Sequence, residues 1–133
     1  MDYFLPLAGG LISSLIVGQE YKSYSVLNKP SWSPPQWLFG PVWFILYILM
    51  GIVLSKIKNK QVRILFYIHL FLNLLWPIVF FKLKKIKESF VNIILVDLTL
   101  IMLLFFPKTK LLGVLLLWCL YATALNYYIL KNN

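Results

Sequence analysis

The sequence predicts an all-α membrane protein, in which five transmembrane helices form a bundle and a long first loop caps one end. Apolar residues make up 61% of the 133 residues and charged residues only 13%, too apolar a balance for a soluble domain of this size. Five apolar segments approach the roughly 20 residues that a helix needs to cross a bilayer. Lysine and arginine lie outside the middle of these segments, as expected because a charge there costs about 2.5 to 3.5 kcal/mol.

The predicted spans take up most of the chain, which we expect to form a single domain over residues 1–133. They cover residues 3–19, 38–55, 62–81, 90–106 and 111–130. No basic residue precedes the first segment, so we interpret it as a retained span and not as a signal peptide. The later connections are short, and short connections join antiparallel neighbours. Spans two to five are therefore predicted to follow one another as an up-down bundle.

The net charge of +9 is explained by lysines at the ends of the spans, where they face anionic lipid. We expect the lipid bilayer as a partner and no nucleic acid. Six Lys and Arg fall on the amino-terminal side of a five-span topology and seven on the other, so the positive-inside rule does not choose an orientation. The single cysteine, Cys119, excludes an intramolecular disulfide, and the lone His69 does not make a metal site.

The first loop is rich in proline and tryptophan. Pro30, Pro34 and Pro35 disfavour helix, so the second helix is expected to begin after them. Trp32 and Trp37 suit the boundary between water and hydrocarbon. A long loop of this kind at the end of a bundle indicates a lid, although a simple spacer is the alternative.

Several polar and aromatic residues within the spans recur at helical spacing. Because lipid offers polar groups no partner, they are expected to face the interior of the bundle. Such a set describes a pocket for a flat, polycyclic apolar ligand, whereas the alternative is that the amides and Asp97 only join helices. No paired carboxylates, catalytic triad or phosphate-binding loop is present. The residues are Trp43 and Tyr47 in span two, Asn73 and Trp76 in span three, Asp97 in span four, and Trp118, Tyr121, Ala122 and Asn126 in span five.

Four stretches together resemble the TspO/MBR family of tryptophan-rich sensory proteins. They read KPSWSPPQWLFGPVWFILYILMG from Lys29, LNLLWPIVFF from Leu72, LVDL from Leu95 and WCLYATALNY from Trp118. The resemblance covers almost the whole chain and is nearest to bacterial members, which implies a bacterial cell membrane. It departs from the family at Ile93, where several relatives carry tryptophan, and at His69, where the mitochondrial form has glutamine.

This resemblance implies a five-helix bundle, often dimeric, that binds porphyrins and in some members sterols or isoquinoline and benzodiazepine-type ligands. No cofactor is required, porphyrin being the ligand. Family pocket positions fall on seven of the inward residues, and Trp32, Asp97 and Tyr121 complete the candidate site. The main expectation is a receptor or sensor for tetrapyrroles. Two alternatives are a transporter and an enzyme that degrades porphyrin with light and oxygen, for which Trp43 and Trp118 are the candidate residues. The seven positions are Trp43, Tyr47, Asn73, Trp76, Trp118, Ala122 and Asn126.

Overall fold

The computed structural model describes residues 3–133, without the side chains of Tyr21 and Ser23, and within this range the regular secondary structure is entirely helical. The end of each of the five α-helices falls within about four residues of a predicted segment boundary. The predicted all-α fold with five helices is confirmed. The helices are α1 Leu5–Val17, α2 Phe39–Lys56, α3 Lys60–Pro77, α4 Ile86–Leu104 and α5 Leu112–Asn132.

Within residues 3–133, three helical stretches are long and apolar enough to cross a membrane: Gln36–Lys56, Lys60–Lys82 and Leu112–Asn132. Helix α1 has only 13 residues. Helix α4 has 19 residues but carries Lys87, Glu88 and Asp97. Three of the five predicted spans thus meet the length and composition of a transmembrane helix.

The helices form a ring in which α1 packs between α2 and α3, while α4 joins α3 to α5 and α5 returns to α2. The expectation that spans two to five pack in sequence order is wrong for α2 and α3, because α1 separates them. Two adjacent glycines explain its position. A Cβ on Gly10 would overlap the ring of Tyr47 in α2, and a Cβ on Gly9 would lie 2.6 Å from Leu74 in α3. The Tyr47 ring leaves no room for a Cβ at Gly10, whereas the Leu74 methyl group that faces Gly9 ends a flexible side chain and can move aside.

The first loop is more regular than the sequence indicated. Gly18 ends α1 with a φ of 53°, a conformation that favours glycine, and a 3-10 helix follows over Gly18–Val26. The proline-containing stretch is not helical, and a short 3-10 turn at Gln36–Leu38 leads into α2, where the prolines predicted the helix to begin. After Pro77, α3 continues as one π-helical turn, Ile78–Lys82.

Candidate functional site

An aromatic cluster fills the interior of the bundle at the end nearest the first loop. Its centre is Trp43, whose ring centroid lies 5.7 Å from that of Tyr47 and 6.3 Å from that of Trp76. The Trp43 and Trp118 rings meet edge to face, at 6.3 Å and 90°. Trp43 and Trp76 are buried and Trp118 is half-buried. The structure therefore brings together the tryptophans predicted from α2, α3 and α5.

Four aromatic residues that the sequence did not single out extend this cluster. Trp76 stacks on Phe80 at 4.9 Å, and Phe81 packs against Phe39 at 5.4 Å. Tyr24, from the 3-10 helix of the loop, meets the ring of Phe39 at 5.1 Å and is 1% exposed. The Phe80–Phe81 pair stood within a quoted motif, but Tyr24 lies in a polar stretch without periodicity. The loop thus inserts an aromatic side chain into the bundle.

Tyr24 also holds the loop together. Its hydroxyl donates a hydrogen bond to the Pro34 carbonyl oxygen at 2.8 Å. The Lys29 ammonium donates to the carbonyl oxygen of Tyr24 at 3.0 Å and lies 4.8 Å from the centre of its ring. Burial raises the pKa of Tyr24 to about 12.

Helix α5 fastens the loop from the other side. The Tyr121 hydroxyl donates to the carbonyl oxygen of Trp32, and the two rings lie 5.8 Å apart. Trp32 itself is exposed and lies at the rim of the aromatic cluster. The Asn28 amide N–H donates to Asn133 Oδ1 at 3.0 Å, and Asn133 Nδ2 donates back to the Asn28 carbonyl oxygen at 3.2 Å. These contacts hold the loop against the end of the bundle.

Asn126 was predicted to contact a ligand, but its side-chain oxygen and nitrogen are both hydrogen-bonded to other protein groups. Its Oδ1 accepts from Trp76 Nε1 at 2.9 Å and from Ser89 Oγ at 3.0 Å, and its Nδ2 donates to the Ile86 carbonyl oxygen at 3.1 Å. It joins α5 to α3 and α4. Ala122, one turn earlier on α5, is buried.

Asn73, Trp43 and Trp118 differ from Asn126, because each carries a polar atom without a hydrogen-bond partner among residues 3–133. In the described part of the chain, Asn73 Oδ1, Trp43 Nε1 and Trp118 Nε1 are buried without a hydrogen-bond partner. Asn73 Nδ2 makes one contact, to His69 Nε2 at 3.4 Å. A buried polar atom without a partner typically costs about 1 to 3 kcal/mol. Asp97 Oδ1 is likewise buried without a partner among the described residues, so four predicted site residues carry polar atoms that a bound molecule could satisfy.

Asp97 and His69 lie in polar contacts between helices. Asp97 Oδ2 accepts from Thr123 Oγ1 at 2.5 Å, which ties α4 to α5. His69 is fully buried and its Nδ1 lies 3.2 Å from Thr99 Oγ1. No group of three His, Cys, Asp or Glu residues that could hold a metal ion occurs among the residues that were described.

A cavity of about 120 Å³ reaches the cluster between α1 and α2, with Gly10, Trp43, Tyr47 and Phe39 among its lining residues. Sites for drug-sized ligands measure roughly 300 to 1,000 Å³. The aromatic side chains occupy the space that the sequence assigned to a ligand, so a polycyclic molecule requires the lid or the indoles to move.

Fold and site together define a helical bundle of membrane type, with a tryptophan-rich interior beneath a closed loop. A sequence model described as the TspO/MBR family matches residues 3–131. The chain belongs to this family.

Its relatives include bacterial, archaeal and human proteins. The tryptophan-rich protein TspO of Chlorobaculum tepidum is 41% identical over 124 residues, which cover 83% of this chain and 78% of that protein. The protein of the same name from Archaeoglobus fulgidus is 37% identical over 139 residues, covering 96% and 91%. The human translocator protein is 31% identical over 144 residues, covering 96% and 85%. The similarity therefore extends along the chain and not only over single motifs.

Proposed function

We propose that this protein is an integral membrane receptor or sensor whose five helices span the cell membrane and whose aromatic cluster binds a tetrapyrrole such as protoporphyrin. The observation that carries the proposal is the contact between Trp43 and Trp118, whose indole N–H groups are both buried without an acceptor among residues 3–133. Indole faces suit a flat aromatic macrocycle, and their N–H groups suit its acceptor atoms.

Binding is proposed to proceed through opening of the lid. Tyr24 occupies space between Phe39 and Phe81, at 5.1 and 6.1 Å from their rings, so its withdrawal would enlarge the interior. The small cavity beside Trp43 would then join the vacated volume. Asn73 Oδ1 is available as an acceptor for a ligand donor. Asn126 would keep Trp76 in place, because it already accepts the hydrogen bond from that indole.

Protoporphyrin titration in detergent tests this proposal. Quenching of tryptophan fluorescence is expected to saturate at low micromolar concentration, a rough scale for sites of this kind. Trp43→Phe with Trp118→Phe removes two N–H donors, which at about 1 kcal/mol each predicts roughly 30-fold weaker binding. Trp37→Phe is the matched control, because Trp37 is 71% exposed. Unsaturable quenching, or equal affinity in the double variant, would contradict the proposal.

A second candidate function is light- and oxygen-dependent degradation of the bound porphyrin. It is favoured by the direct contact of Trp43 with Trp118, since two touching indoles can both lie beside one macrocycle. Illumination in air at saturating porphyrin is expected to bleach the porphyrin bands to a defined product, and the double phenylalanine variant is expected to stop this. Bleaching at the same rate in that variant would contradict the enzymatic function without contradicting the receptor function.

A further inference from the structure

A second concave surface lies at the end of the bundle where α2 finishes, opposite the first loop. There the connection between α2 and α3 and the connection between α4 and α5 enclose a depression of about 580 Å³. We call it the basic depression. It is lined by Ser55, Lys56, Lys58, Lys108, Lys110 and Leu111.

The lysines of the basic depression have no counter-charge among the described residues. Within residues 3–133, none of the four takes part in a described hydrogen bond or ion pair, and no aspartate or glutamate lies in the two connections. Arg63, which is close by in sequence, differs because its Nη1 donates to the carbonyl oxygens of Leu54 at 3.1 Å and Ile57 at 2.9 Å. The arginine caps α2, whereas the lysines leave a concentrated positive field.

The connection that carries Lys108 is held in a defined shape. Thr109 is 1% exposed, and its hydroxyl donates to the carbonyl oxygens of Leu103 at 2.9 Å and Phe106 at 2.8 Å. Lys108 has a φ of 65°, a left-handed conformation that residues with a side chain rarely adopt. Thr109 therefore fixes the backbone that carries Lys108 at this end of the bundle.

The surroundings of the basic depression select an amphipathic anion. Leu111 lines the depression and is 39% exposed. Below it along α5, Val114 and Leu117 continue an exposed apolar surface. Phosphate groups of a bilayer lie at the ends of apolar helices, and their acyl chains lie along them.

We propose that the basic depression binds the headgroup of an anionic phospholipid. Its phosphate would lie among Lys56, Lys58, Lys108 and Lys110, and an acyl chain would follow the apolar surface of α5. This site is separate from the aromatic cluster and does not depend on what that cluster binds.

Titration of the purified protein with dioctanoyl phosphatidylglycerol in an uncharged detergent, followed by native mass spectrometry, tests this proposal. The variant Lys58→Gln with Lys108→Gln is expected to bind about 30-fold more weakly, since each lysine near an anionic surface contributes about fivefold. Lys85→Gln with Lys87→Gln is the matched control, because it removes the same charge from exposed positions at the other end. Lys110→Gln alone is expected to lose about fivefold.

Three results would overturn the proposal. One is an equal loss of affinity in the two double variants, which would mean a general attraction to charge. Another is equal binding of dioctanoyl phosphatidylcholine, whose headgroup is neutral. The third is equal binding of glycerol 1-phosphate, which would assign the depression to a soluble anion. Protoporphyrin binding is expected to be the same in every lysine variant.

Discussion

Asn73 and Asn126 allow a paired test of which buried side-chain amide stabilises the fold and which contributes to ligand binding. Replacing either residue by alanine removes the same atoms from a site that is at most 1% exposed. The two amides differ in their hydrogen bonds, because Asn126 makes three and Asn73 makes one long contact at 3.4 Å. Asn126→Ala is therefore predicted to cost more stability, and Asn73→Ala to cost more ligand affinity.

The magnitudes follow from these contacts. Hydrogen bonds between helices in membrane proteins contribute about 0.6 kcal/mol each. Asn126→Ala removes three such bonds and is expected to lower the free energy of unfolding by about 2 kcal/mol. Asn73→Ala removes only a contact to His69 within α3 and is expected to lower it by about 0.3 kcal/mol. For ligand affinity the order reverses. Asn73→Ala removes the unpaired Oδ1 and is expected to weaken protoporphyrin binding about fivefold, or about 1 kcal/mol.

Unfolding by sodium dodecyl sulfate in mixed micelles, followed by circular dichroism, measures the first effect. Fluorescence titration of the folded variants measures the second. Asn126→Ala is expected to keep its affinity within about threefold, because none of its polar atoms is available to a ligand. If Asn73→Ala destabilises the protein as much as Asn126→Ala, or if only Asn126→Ala weakens binding, the division of roles is refuted.

Two further predictions concern backbone packing and the lid. Gly51→Ala is expected to lower the free energy of unfolding by several kcal/mol, because the new Cβ would overlap the carbonyl oxygen of Tyr3. Gly113→Ala is expected to be neutral or stabilising in the same unfolding assay, because a Cβ on Gly113 meets open space. An equal response of both glycines would contradict this packing. The pKa of Tyr24 is raised from 10.0 to about 12, so its contribution to lid stability is fully present below pH 10 and is lost as the pH rises through about 12. Tyrosinate absorbance at 295 nm should show this titration at high pH, and Tyr24→Phe should remove it. Titration of Tyr24 near pH 10 would show that the lid is open.

The helices and the convergence of the tryptophans could be predicted because both follow from local patterns. Apolar segment length places α2 and α5, and the spacing of Trp43 and Tyr47 puts both on one buried face of α2. The insertion of α1 between α2 and α3 could not be predicted in this way. It depends on how closely Gly9 and Gly10 let backbones approach, which is a property of two surfaces together.

The bonding state of the polar residues was also beyond the sequence. Asn73 and Asn126 look equivalent when only the helical period is known, since both face inward. What separates them is the neighbouring indole, because Trp76 donates to Asn126 and leaves Asn73 Oδ1 unpaired. Tyr24 escaped prediction for a related reason, since its aromatic contacts come from residues distant in sequence.

The position of α1 constrains how the molecule can assemble. Helices α2 and α3 are joined by only three residues, yet α1 packs between them. A gap of about one helix diameter, roughly 10 Å, has to be kept for α1. A direct α2–α3 hairpin is therefore incompatible with this fold, in which α1 lies between the two helices.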